Sequence, residues 1–224
     1  MAKAKTDSKL REGGWWQPAF LITMGIIFLT PFFRGLFFTG EQMTVLILAS
    51  VALFCTWMWK LSKNEWGILT DPMDILMLVF GLSYLVSFLF GPASKHLAAV
   101  QAAIGILLFM VYWTVSWLAY DRGQIHRILK VLYGAAVAVA LVGLGAALGL
   151  LEIRDGFVGT RIFTTFQYPN TAAAYLLGAV FLGLHLYSRA GTRGRFVLSG
   201  LQGILFVTFF GTQSRGALLI LPVV

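Results

Sequence analysis

Residues 128–151 read ILKVLYGAAVAVALVGLGAALGLL, an apolar run with a single charge, Lys130, near its start. Wound as an α-helix at 1.5 Å per residue, such a run is about 36 Å long, enough to cross a hydrocarbon core of about 30 Å. Lipid offers no partners to backbone N–H and C=O groups, so a segment inside it pairs them internally or joins a closed barrel. Barrel strands alternate apolar and polar side chains. This stretch does not alternate, and its expected form is a membrane-spanning helix.

Working outward, the same pattern recurs. Apolar blocks run from Trp15 to Phe33, Met43 to Trp59, Pro72 to Phe90, Leu97 to Tyr120, Thr171 to Ser188 and Phe196 to Thr212, about seven spans in all. An eighth begins at Gly216 and has run only nine residues by Val224, which points to a truncated chain. The composition agrees: 58% of residues are hydrophobic and 12% charged, against the roughly 25% charged residues that cover a soluble domain. The expected architecture is all-α, a polytopic transmembrane helix bundle over residues 15–224, preceded by a basic segment, residues 1–14. Behind that basic segment, the apolar block Trp15 to Phe33 resembles a start-transfer signal that stays uncleaved, being too long for a signal-peptide core and lacking a small-residue cleavage site at its end.

The formal net charge of +8 raises the question of nucleic acid, but that partner needs a basic face on a water-exposed domain, and the sequence has no such domain. In a membrane protein a basic excess marks cytoplasmic loops. With the N-terminus inside, Lys3, Lys5, Lys9, Arg11, Lys60, Lys63, Arg122, Arg127, Lys130, Arg189, Arg193 and Arg195 fall on the cytoplasmic side. Only Arg34, Lys95, Arg154, Arg161 and Arg215 fall outside, so twelve of the seventeen basic residues obey the positive-inside rule. The lone Cys55 lies within an apolar block, so no disulfide forms within the chain, and the residue reads as a small buried hydrophobe. Gly145 and Gly149, four residues apart, are expected to let two helices approach closely.

Charges at a membrane border are costly and therefore informative. Asp71 and Asp74 flank Pro72, where carboxylates favour a helix N-terminus. Lys95 and Arg34 suit snorkelling to headgroups. The longest outward loop, Glu152 to Asn170, carries the string Gly159-Thr-Arg-Ile-Phe-Thr-Thr-Phe-Gln-Tyr-Pro-Asn170. Asn170 or Thr171 is placed to cap the helix that follows. On spacing alone, a helix start with an incidental arginine is the competing explanation. A second outward string, Gly211-Thr-Gln-Ser-Arg215-Gly-Ala, brings another arginine to the same face. Two guanidinium groups, each a planar fork of donors that stays charged at any relevant pH, suit a diphosphate at that depth.

Together these strings resemble the O-antigen ligase and O-antigen polymerase superfamily of bacterial envelope glycosyltransferases. The match rests on Arg161, on Thr165-Phe166-Gln167-Tyr168-Pro169-Asn170 leading into Ala172 to Ala174, and on Ser214-Arg215-Gly216 about 45 residues later. Tyr168 departs from the family pattern, where asparagine is common. The resemblance implies a type C glycosyltransferase membrane domain in a bacterial cytoplasmic membrane. It further implies an undecaprenyl-diphosphate-linked glycan as donor, a glycan or lipid-linked glycan as acceptor, membrane lipids as surroundings, and no metal or cofactor. By position, Arg161 and Arg215 take the donor-diphosphate roles, and Asn170 and Ser214 support them. The family's proposed histidine base sits in a large later outward loop, expected beyond Val224. Of the histidines present, His126 and His185 fall near the cytoplasmic side, and His96 reads as interfacial packing. A transporter or channel is the rival, with broken helices or acids deep in spans as its marks, and a membrane scaffold is a third alternative.

Overall fold

The computed structural model describes residues 14–67, 69–91 and 94–220. Most of the basic N-terminal segment (1–13), residues 68, 92 and 93, and the last four residues of the eighth apolar block lie outside them. Among the described residues the chain forms eight α-helices: α1 (Trp16–Leu29), α2 (Thr39–Ser62), α3 (Pro72–Phe90), α4 (Lys95–Leu118), α5 (Arg122–Ala147), α6 (Pro169–Ser188), α7 (Thr192–Gly211) and α8 (Arg215–Ile220). Six of them, α2 to α7, are long and apolar enough to cross a membrane, the architecture of a multi-pass membrane protein. The expected first span is shorter. Its α-helix ends at Leu29 and tightens into a 3-10 turn, Thr30–Phe32, because Pro31 has no N–H to continue the ladder.

The helices also outrun their apolar blocks, since hydrogen bonding along the backbone continues where hydrophobic side chains stop. Lys60, expected in a cytoplasmic loop, is instead inside α2 and only 1% exposed. Its ammonium donates to the Gly67 carbonyl and lies over the rings of Trp113 and Trp117. Burial of this cation is tolerable because a carbonyl and two π faces replace its water.

Two compact units form. The first comprises residues 14–26 and 38–125. Its centre is α4, packed against both α2 and α3. A cluster of Trp16, Ala19, Cys55, Trp59 and Leu118 buries the start of α1 there, and Cys55 is the small buried hydrophobe its sequence context implies. The start of α3 is a capping box, as the flanking carboxylates suggest. Asp71 accepts from Met73 N at 3.0 Å, and Asp74 accepts back from Asp71 N at 3.0 Å. Asp74 also accepts from Thr70 N at 2.9 Å and from the Tyr112 hydroxyl of α4 at 3.1 Å, so one carboxylate both caps α3 and ties it to α4.

The second unit comprises residues 27–37 and 126–220. Its core joins α5, α6 and α7 through Tyr133, Ala136, Ala140, Leu176, Val180, Leu205 and Phe209. The Gly145 and Gly149 pair does not serve as a helix-packing face. Gly149 lies beyond the end of α5 at φ +70°, where its left-handed conformation lets Leu150 N turn back to the Gly145 carbonyl at 2.8 Å. The close approach is made two residues before Gly145, at Gly143. A Cβ there would come within 2.7 Å of Thr164 Cγ2 and 3.0 Å of Ile162 Cγ2.

Candidate functional site

The long segment between α5 and α6 is ordered by a two-stranded hairpin, β1 (Phe157–Val158) with β2 (Arg161–Ile162), paired antiparallel. Gly159, at φ +64°, opens the two-residue turn that hairpins of this twist require. The hairpin places Arg161 and Ile162 on opposite sides of β2. Ile162 is buried against the positions of Gly143 and Gly211, and Arg161 is left at the surface. A 3-10 turn, Thr164–Phe166, then leads into α6.

This end of the second unit gathers the two outward strings. Arg161 Nε donates to the Thr212 carbonyl at 3.0 Å, and Nη2 donates to that of Gln213 at 3.4 Å. Gln213 Nε2 returns a bond to the Thr160 carbonyl at 3.0 Å. Beside them the Ser214 hydroxyl donates to Asn170 Oδ1 at 3.0 Å, joining the start of α8 to the first turn of α6. Thr165 Oγ1 donates to the Pro31 carbonyl at 2.7 Å, which anchors the 3-10 turn to the segment after α1.

Three of the four residues singled out in the sequence, Arg161, Asn170 and Ser214, are therefore tied into one constellation, and Arg215 follows Ser214 directly in the chain. Ser214 is 3% exposed, Arg161 is half-buried, and Asn170 and Arg215 are exposed. Asn170 is not a helix cap. The α6 helix already begins at Pro169, with Tyr168 as an N-cap that makes no side-chain bond. Proline suits that first helical position, where an N–H has no partner to lose, and the Asn170 side chain is consequently released to meet Ser214.

Arg161 uses Nε and part of Nη2 on carbonyls, so its remaining donors can face outward. The carbonyls fix the plane of the guanidinium without neutralising it. Neither Arg161 nor Arg215 is paired with a carboxylate among the described residues. Three backbone positions framing the site are left-handed: Thr164 (φ 56°), Gln167 (φ 56°) and Gln213 (φ 50°). For a β-branched residue such as Thr164 this costs conformational energy, and it persists because the buried side chain is held by its surroundings. Gln167 in turn donates from Nε2 to the Arg154 carbonyl at 2.8 Å, closing the base of the loop.

The chain matches no protein-family profile, no curated protein and no solved structure. Its own geometry therefore carries the functional argument. Thr212 and Gln213 hold Arg161 in place and were not legible beforehand, because each acts through its backbone oxygen. The Gln213 side chain was legible in principle as the polar neighbour of Ser214, but nothing in its spacing marks a bond across the loop. His96 is exposed in the first turn of α4, in the other unit.

Proposed function

We propose that this chain binds the diphosphate of a polyprenyl-linked glycan at the outer face of a bacterial cytoplasmic membrane and serves in transfer or polymerisation of that glycan, in the manner of the O-antigen ligases and polymerases. The observation that carries this reading is the tie between the two strings. Arg161 is clasped by the carbonyls of Thr212 and Gln213, two to three residues before Arg215, while Ser214 bonds Asn170. A guanidinium oriented by carbonyls, with a second, exposed arginine two to three residues beyond those carbonyls in the chain, suits an anion with several oxygens.

In the reaction, an acceptor hydroxyl forms a bond to the anomeric carbon of the donor glycan as the bond from that carbon to the diphosphate oxygen breaks. The electron pair leaves with the diphosphate, and the acceptor proton passes to a base. Pre-oriented positive charge stabilises the leaving group as its negative charge grows, and does so most effectively where water is scarce.

The transporter alternative looks to acids within spans. Asp74 is the buried acid of α3, and its carboxylate is already occupied by hydrogen bonds from Thr70, Asp71 and Tyr112. That occupancy favours the transferase reading. We expect Arg161→Ala and Arg215→Ala each to abolish glycan output in a cell-based complementation assay while membrane insertion is retained. Wild-type output from both variants would overturn the proposal.

A further inference from the structure

A cavity of about 580 Å³ opens between the beginning of α5, the end of α6 and the beginning of α7, all within the second unit. His126 and Lys130 line it from α5, Arg189 follows α6, and Arg193 and Val197 come from α7. The floor is apolar, with Leu186 and Tyr133 each 4% exposed. This cavity lies at the opposite end of α6 from Asn170. The twenty residues of that helix span about 30 Å, the thickness of a hydrocarbon core, so the cavity sits at the other membrane border.

Three permanent or near-permanent cations converge here. Among the described residues none of Lys130, Arg189 and Arg193 is within salt-bridge distance of a carboxylate. Like charges gathered around a concave space repel one another unless an anion enters it. The apolar part of the wall extends the same argument. Val197 is 59% exposed on the α7 side of the cavity, and its neighbour Phe196 is 84% exposed. A small soluble anion would satisfy the cations and leave that surface bare, whereas an acyl chain would cover it.

We infer that this cavity is a binding site for an anionic glycerophospholipid, its phosphodiester headgroup among Lys130, Arg189 and Arg193 and an acyl chain along Val197. Basic pockets between helices at a membrane border are suited to such headgroups, each cation adding to the attraction while salt screening is weak. The His126 ring adds a hydrogen-bonding nitrogen at the same wall. The site is separate from the arginine constellation, and its existence does not depend on glycan transfer.

The test uses the purified full chain in a neutral detergent, with bound lipid counted by native mass spectrometry. Phosphatidylglycerol is titrated against phosphatidylcholine, and glycerol 3-phosphate is added as a soluble competitor. We expect phosphatidylglycerol to bind more tightly than phosphatidylcholine, and Arg189→Gln with Arg193→Gln to weaken it by about tenfold or more. The charge-matched pair Arg122→Gln with Arg195→Gln, outside the cavity, should leave binding within about twofold of wild type. Equal loss from both pairs would overturn the site in favour of diffuse surface charge, as would equal binding of the two lipids. Competition by glycerol 3-phosphate as effective as that by lipid would overturn the lipid assignment. Thermal unfolding of each variant checks that the fold is kept. If the cavity pair unfolds early, Lys130→Gln alone supplies the comparison, with loss supporting the site and wild-type affinity counting against it.

Discussion

Ser214 donates to Asn170 across 44 residues of chain, from a side chain that is almost fully buried. Interhelical hydrogen bonds of membrane proteins contribute about 0.6 kcal/mol on average and at most about 1.7 kcal/mol. We therefore expect Ser214→Ala to destabilise the purified chain by about 0.5–1.5 kcal/mol, with Asn170→Ala adding little in the double variant. A double-mutant cycle on unfolding in mixed micelles measures the coupling, and additive losses would show that the bond contributes nothing. At this scale the sequence was informative where polarity was out of place. Arg161, Arg215, Asn170 and Ser214 stand out because charge and amide groups are expensive at a membrane border. Lys60 was misplaced for a related reason. Charge along a chain reveals that a cation exists, but only the fold brings Trp113, Trp117 and the Gly67 carbonyl around it.

Helices were the most legible elements, because lipid demands long apolar segments and internal backbone pairing together. Their ends were not. Residues just outside the hydrocarbon need not be apolar to stay helical, which is why α5 starts at Arg122 rather than Ile128 and α7 at Thr192 rather than Phe196. The start of α3 is the exception, since its cap is written in side chains. Asp74→Ala should remove the returning half of that capping box and leave Tyr112 and Thr70 without their acceptor, costing about 2–4 kcal/mol. Asp74→Asn keeps the shape but exchanges one acceptor oxygen for a donor, and should fall between wild type and Ala when thermal unfolding in detergent is followed by circular dichroism. Contact between α5 and the hairpin segment was invisible in advance, because it depends on what faces one particular glycine. A methyl group at Gly143 would press on Thr164, a stiff β-branched residue already held at positive φ. We expect Gly143→Ala to destabilise by about 1–3 kcal/mol, and Thr164→Ser, which removes the obstructing methyl, to recover much of that loss in the same unfolding measurement.

For the molecule as a whole, the apolar blocks disclosed a multi-pass membrane protein, and the structure adds that its helices divide into two compact units. That division was not legible in sequence, since it falls within α1, whose last residues and the segment after them, 27–37, join a unit that resumes only at residue 126. Orientation is a property at this scale. In a Cys55→Ala background, Asp155→Cys and Thr192→Cys mark the two ends of the second unit, and both positions are exposed. With the N-terminus inside, a membrane-impermeant maleimide should label residue 155 in intact cells and residue 192 only after permeabilisation. The opposite pattern would invert the assignment and remove the diphosphate site from the outer face.

The clasp on Arg161 also bears on how the protein is made. Its two carbonyl partners lie 51 and 52 residues further along the chain. At about 5–20 residues per second of translation, several seconds separate the emergence of the arginine from that of its partners. During that interval α6 and α7 must enter the bilayer and turn back before the guanidinium has anything to grip. The clasp thus forms only after both helices are in place, and an insertion defect in either would erase it while leaving the residues that make it unchanged.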